Sequence, residues 1–141
     1  MKADTIVKKL GMFRHPEGGW YVETFRDPKG GPRGHSTAIY YLLEQGQKSH
    51  WHRLHDATEV WHHYAGAPMR LSISPQGTSV QTFDLGPDIL SGEQPQVIVP
   101  ANFWQSAEPV GEWSLVGCTV SPGFDFEIFE LAPKDWKPTA E

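Results

Sequence analysis

Apolar runs of four to eight residues, each cut by glycine, proline or aspartate clusters, follow one another from Gly19 to Leu131. Such runs read as β-strands separated by turns. They lie at Gly19 to Arg26, Thr37 to Leu43, Ser49 to Arg53, Glu59 to Ala65, Met69 to Ser74, Ser79 to Asp84, Gln96 to Val99, Trp113 to Val120 and Phe126 to Leu131, which predicts nine strands. Ahead of them, Ile6, Val7 and Leu10 repeat at helical spacing, with Asp4 or Thr5 placed to cap the first turn and Gly11 to stop the last. The pattern therefore predicts an all-β sandwich or barrel behind one short N-terminal helix.

Composition narrows this picture. At 141 residues the chain is expected to form a single domain over 1–141, and its twelve prolines and fourteen glycines are scattered singly, as turns require. A net charge of -5 without any Lys/Arg run offers no footprint for nucleic acid. The one cysteine, Cys118, has no internal disulfide partner, and mid-strand between Gly117 and Thr119 it reads as a buried, inert thiol. With no signal-peptide core and no apolar span near ~20 residues, a cytoplasmic protein with no membrane partner is expected.

Candidate chemistry concentrates in one window. Five of the seven histidines, His50, His52, His55, His62 and His63, surround Glu59 within fourteen residues. Neutral imidazoles and a carboxylate suit a divalent metal or proton transfer. Strand alternation puts His50 and His52 on one face, and Glu59, Trp61 and His63 on one face of the next strand. If both faces turn inward, His50, His52, Glu59 and His63 converge, whereas His55 and His62 read as surface groups. Arg53 reads as a solvated or salt-bridged side chain. No nucleophile elbow, dinucleotide fingerprint or phosphate-binding loop is present; Gly18-Gly19 and Gly30-Gly31 read as turn pairs.

His50-Trp51-His52 followed by Glu59, then six residues and Gly66, resembles the first motif of the cupins, which are small jelly-roll barrels. Pro100-Ala101-Asn102-Phe103-Trp104-Gln105 resembles the second, with Asn102 in place of glycine and Gln105 in place of the third histidine. Ordered blocks from about Thr5 to Asp135 are similar to one branch, the cupin-5 (DUF985) family. They include His15-Pro16-Glu17-Gly18-Gly19-Trp20, Trp51-His52-Arg53, Glu59-Val60-Trp61-His62, Trp104-Gln105 and Val116 to Phe126. The resemblance implies a cupin-type jelly roll and a homodimer formed by packing sheets. It also implies a metal-ligand set of His52, Glu59 and Gln105, aided by His50 or His63. So oxygen-rich a set suits weakly held manganese, iron, nickel or zinc, or no metal at all.

Two functions fit these residues. In the first, an isomerase or epimerase acts on a small polar metabolite such as a sugar or a hydroxy or keto acid. Glu59 is then the base and His52 polarises a carbonyl, while Trp61, His63, Phe103, Trp104 and Gln105 shape the pocket and its hydrophobic walls raise the pKa of Glu59. In the second, the same residues hold a metabolite without turning it over. A third reading makes the histidines a hydrogen-bonded polar network within the core.

Overall fold

The computed structural model describes residues 1–139. A helix, α1 (Ala3–Leu10), precedes eleven strands among those residues. They are β1 (Phe13–Arg14), β2 (Trp20–Arg26), β3 (Thr37–Glu44), β4 (Ser49–Leu54), β5 (Thr58–Gly66), β6 (Met69–Ser74), β7 (Gln81–Leu85), β8 (Gln96–Val99), β9 (Trp104–Pro109), β10 (Trp113–Ser121) and β11 (Phe129–Leu131). They form two antiparallel sheets ordered β1-β2-β3-β10-β5-β8 and β11-β4-β9-β6-β7, packed face to face as a jelly-roll sandwich.

The helix starts two or three residues earlier than its sequence signals suggest. Lys2 is the N-cap and no side chain caps it; Asp4 sits inside the first turn, where its charge complements the helix dipole. Gly11, at φ +66°, closes the other end in the left-handed region. Ile6 then packs with Met12 and Leu42 on the outer face of the six-stranded sheet. This cover explains why β3 reads as an uninterrupted apolar run. Tyr41 and Leu43 face the interior and Leu42 faces the helix, so all three are fully buried.

Two strands were not legible as runs. The two-residue β1 is too short to leave a pattern. β9, Trp-Gln-Ser-Ala-Glu-Pro, has no β-branched residue and is held between β4 and β6 by pairing alone. At the C-terminal end, Phe126–Ile128 forms a 3₁₀ turn rather than strand, initiated by Asp125, whose Oδ1 accepts the Glu127 N–H at 3.0 Å.

Register places the site. Glu59 on β5 sits opposite Val99 of β8 and Val120 of β10, while on the facing sheet His52 of β4 pairs with Gln105 of β9. Both pairs lie on inward faces, so the two sheets present a carboxylate, an imidazole and an amide to one interior.

Candidate functional site

Between the sheets lies a cavity of about 370 Å³. Its buried end is polar, formed by Glu17, His52 and Glu59, none of them more than 8% exposed, with the Cys118 thiol beside them. Tyr21, Phe124, Phe126 and Phe129 supply aromatic walls, and Glu23, Arg26 and Asp125 stand toward solvent.

The polar end is organised by a residue outside the histidine window. Glu17 Oε2 accepts from His52 Nε2 at 2.9 Å, and the other ring nitrogen of His52, Nδ1, donates to the His50 carbonyl at 2.8 Å. With an acceptor at each nitrogen, both carry hydrogen and His52 is an imidazolium. Burial alone would lower its pKa, but the charge and hydrogen bond of Glu17 outweigh burial and raise it to about 9. Burial likewise opposes ionisation of Glu17, and the adjacent His52 cation holds its carboxyl below the ordinary value. The result is a buried ion pair.

Glu59 is placed differently. Its Oε1 accepts from Gln105 Nε2 at 3.0 Å, and Gln105 Oε1 accepts from the Trp61 indole at 2.8 Å, so the relay Trp61-Gln105-Glu59 fixes the carboxyl. Burial pushes the Glu59 pKa up to about 7, against the pull of the His52 charge and with added repulsion from Glu17. A carboxyl that titrates near neutrality on the wall of a cavity is equipped to accept and return a proton. Cys118 has the opposite character. Burial, and the nearby Glu59 and Glu17 charges, raise its pKa well above the ordinary thiol value, which leaves it a poor nucleophile.

Several expected partners lie elsewhere. A β-bulge separates Ser49 from His52 in the β4 ladder, so alternation breaks and His50 turns outward, where its Nε2 donates to the Pro133 carbonyl at 2.9 Å. His63 is four residues past Glu59, a distance of about 13 Å along a strand. Its Nε2 donates to the Ala67 carbonyl at 3.0 Å, away from the cavity. Trp61 and Phe103 belong to the hydrophobic core behind the site. Trp104 points to the outer face of its sheet, against Trp136 at 4.5 Å between ring centroids and beneath the Arg53 guanidinium. None of Trp61, Phe103 and Trp104 lines the cavity itself; Trp61 reaches Glu59 through Gln105. Arg53 and His55 both engage Glu130, and His62 bonds Thr119 and Gln96 on the outer surface.

Glu17 and His15 are the residues that the histidine pattern does not point to. Their signal is local: an acid flanked by a histidine and by Gly18-Gly19, at φ +114° and +82°. A Cβ on Gly18 would meet the Lys48 carbonyl oxygen at 2.0 Å, so only glycine lets this turn lie against the start of β4 and deliver Glu17 to His52.

The donor set does not fit the divalent metal that the cupin motifs imply. A metal needs a lone pair on the ligating imidazole, and both His52 nitrogens are spent as donors. The Gln105 oxygen is held by the Trp61 indole, and His50 and His63 are out of reach. Among the described residues, no three His, Cys, Asp or Glu side chains are grouped to hold a metal.

Similar proteins share this architecture. The chain is 31% identical to an uncharacterised protein of Saccharomyces cerevisiae over 86% of its own length and 71% of the relative's. A Shewanella oneidensis protein of known structure matches with TM-score 0.87 at 38% identity, over 94% of this chain and 85% of that one. A hypothetical protein from Leishmania major matches with TM-score 0.86 at 29% identity, over 96% and 90%. Oxalate decarboxylase from Bacillus subtilis shares the fold alone, with TM-score 0.65 at 16% identity over 84% of this chain and 29% of the enzyme. Residues 4–132 match the family model Cupin_5, described as Cupin superfamily (DUF985), and with ordered motifs and two sheets agreeing along that span, the chain belongs to this family.

Proposed function

We propose that the protein is a proton-transfer isomerase or epimerase acting on a small polar metabolite bound between the sheets. The observation that carries this reading is Glu59: a buried carboxyl on the cavity, oriented by Gln105 and with its pKa raised to about 7. In its ionised form Glu59 removes the proton from the carbon next to a carbonyl. The C–H electron pair moves into a C=C bond as the carbonyl oxygen becomes an enolate oxygen. Glu59, now neutral, returns the proton to the same carbon after the planar enolate has turned over in the cavity, which inverts that centre, or to the former carbonyl carbon once the hydroxyl proton of the adjacent carbon has passed to the enolate oxygen, which gives the isomer; atoms and charge balance without an external oxidant. The His52 imidazolium, locked by Glu17, keeps its proton through the cycle and is not consumed.

The test is deuterium wash-in. Wild-type protein in D₂O with a panel of aldoses, ketoses and small cyclic ketones, followed by proton NMR, is expected to exchange the hydrogen next to the carbonyl of at least one compound. Glu59→Gln keeps the side-chain shape and is expected to slow that exchange by at least ~100-fold. Exchange that survives in Glu59→Gln would remove the base from this reading. Saturable binding with no exchange across the panel would favour a module that holds its ligand without turnover.

A further inference from the structure

Resting on the Glu59 reading and narrowing its substrate, we infer that the cavity takes an uncharged ring compound bearing a carbonyl or hydroxyl oxygen, and that the Nε2–H of His15 is the donor that receives this oxygen.

The tautomer of His15 follows from its contacts. Its Nδ1 accepts the backbone N–H of Glu17 at 3.1 Å, which places the ring proton on Nε2. Burial lowers the pKa of this ring more than Glu17 raises it, consistent with a neutral imidazole. The side chain is 6% exposed, lines the cavity, and among the described residues Nε2 has no hydrogen-bond partner. The Nε2–H is therefore a donor open to the cavity, where water satisfies it until a ligand acceptor takes its place. Glu59 is its counterpart on the lining, with Oε1 held by Gln105 and the Cys118 thiol beside the carboxyl.

Charge then excludes acids. Every cation on the lining is already compensated: His52 by Glu17, and Arg26 by Glu23 at 2.6 Å, with a second Arg26 nitrogen donating to the Arg33 and Phe124 carbonyls. Asp125 adds a carboxylate near the mouth. A carboxylate or phosphate ligand would meet negative groups and no free cation, whereas tight recognition of such anions needs a charged, bidentate donor. Phe124, Phe126 and Phe129 meet edge to face, with ring centroids 4.9 to 5.9 Å apart, and offer an apolar wall to the flat or CH-bearing face of a ring. A cavity of about 370 Å³ is at the small end for ligand sites and suits a single ring.

The experiment titrates ¹⁵N-histidine-labelled protein at pH 7.5 with cyclohexanone and methyl β-D-xylopyranoside, and separately with cyclohexanecarboxylate and glucuronate. The expected result is a saturable shift of the His15 Nε2–H resonance with at least one neutral probe, and at least ~10-fold weaker binding of both acids. His15→Phe is expected to weaken the neutral probe by ~10-fold or more, and His15→Gln, which restores an N–H near the same place, to recover part of it. Acids that bind as tightly as the neutral probes would overturn the inference, as would absence of neutral binding or an unmoved His15 signal at saturation. If His15→Phe does not fold, the wild-type shift and His15→Gln decide. Binding is read without turnover, so this inference stands or falls separately from Glu59 catalysis. A Glu59→Gln protein that binds the neutral probe but exchanges no hydrogen supports both, and exchange confined to acidic substrates rejects this one alone.

Discussion

At the scale of single residues, the site is governed by which of two buried carboxyls has the imidazolium. Glu17 touches His52 and is held ionised; Glu59, tied to a neutral amide, is pushed toward its protonated form. Removing one member of a buried pair strands the other, so Glu17→Gln is expected to cost about 3 kcal/mol in urea unfolding. That is the low end for such pairs, because His52 can escape by losing its proton. The pH dependence separates the groups. His52, raised from 6.5 to about 9, contributes stability that is complete below pH 6.5 and is lost as pH rises through 9. Glu17, held below 4.5, contributes stability present above that pH and lost beneath it. Glu59, raised from 4.5 to about 7, keeps a proton that the unfolded chain releases, so between those values it makes stability fall as pH rises. The urea midpoint is therefore expected to peak near pH 5 and decline toward pH 9. In Glu59→Gln the part of the decline below pH 7 is expected to vanish while the part above persists. A midpoint flat from pH 5 to 9 would contradict the ion pair and the raised Glu59 together.

At the scale of elements, a turn and a bulge decide what reaches the cavity. The His15-to-Gly19 turn carries both Glu17 and His15, and Gly18→Ala would drive a methyl group into the Lys48 carbonyl. That variant is expected to lose about 1–3 kcal/mol and to release His52 from its partner, seen as loss of the imidazolium pattern in ¹⁵N spectra at pH 8. These same elements mark where sequence reading succeeds and where it stops. Strands with alternating or continuous apolar runs, such as β3, β5 and β10, are legible because burial selects their side chains directly. β9 was not legible, since Gln105 is selected by its two hydrogen bonds and not by hydrophobicity. Alternation put His52 and Glu59 each on the inward face of its strand, where both line the cavity. It failed for His50 because the inserted residue in β4 comes from tertiary pairing with β9, which no local pattern records. Glu17 escaped for a related reason: its importance arises from a glycine-permitted approach between segments about thirty residues apart.

At the scale of the molecule, the outer face of the six-stranded sheet is only half covered. α1 packs over Leu42 and its neighbours, whereas on β5 and β8 the side chains of Tyr64 and Ile98 are 53% and 60% exposed. β8 is also an edge strand, with no strand on its outer side among the described residues. An apolar face next to an open edge invites association, and a second copy packed about a twofold axis would cover both at once. Tyr64 is held in place for such a contact, because it lies over Gly117, where even a Cβ would strike its hydroxyl at 2.4 Å and its ring at 2.5 Å, and stacks on His62 at 6.3 Å. A homodimer is therefore expected by light scattering at micromolar concentration. The double variant Tyr64→Lys, Ile98→Lys is expected to shift the mass toward monomer, leaving the Glu59 pKa near 7 because the cavity lies on the opposite face of the sheet. Monomeric wild-type protein across that concentration range, or a dimer indifferent to both charges, would place the contact elsewhere.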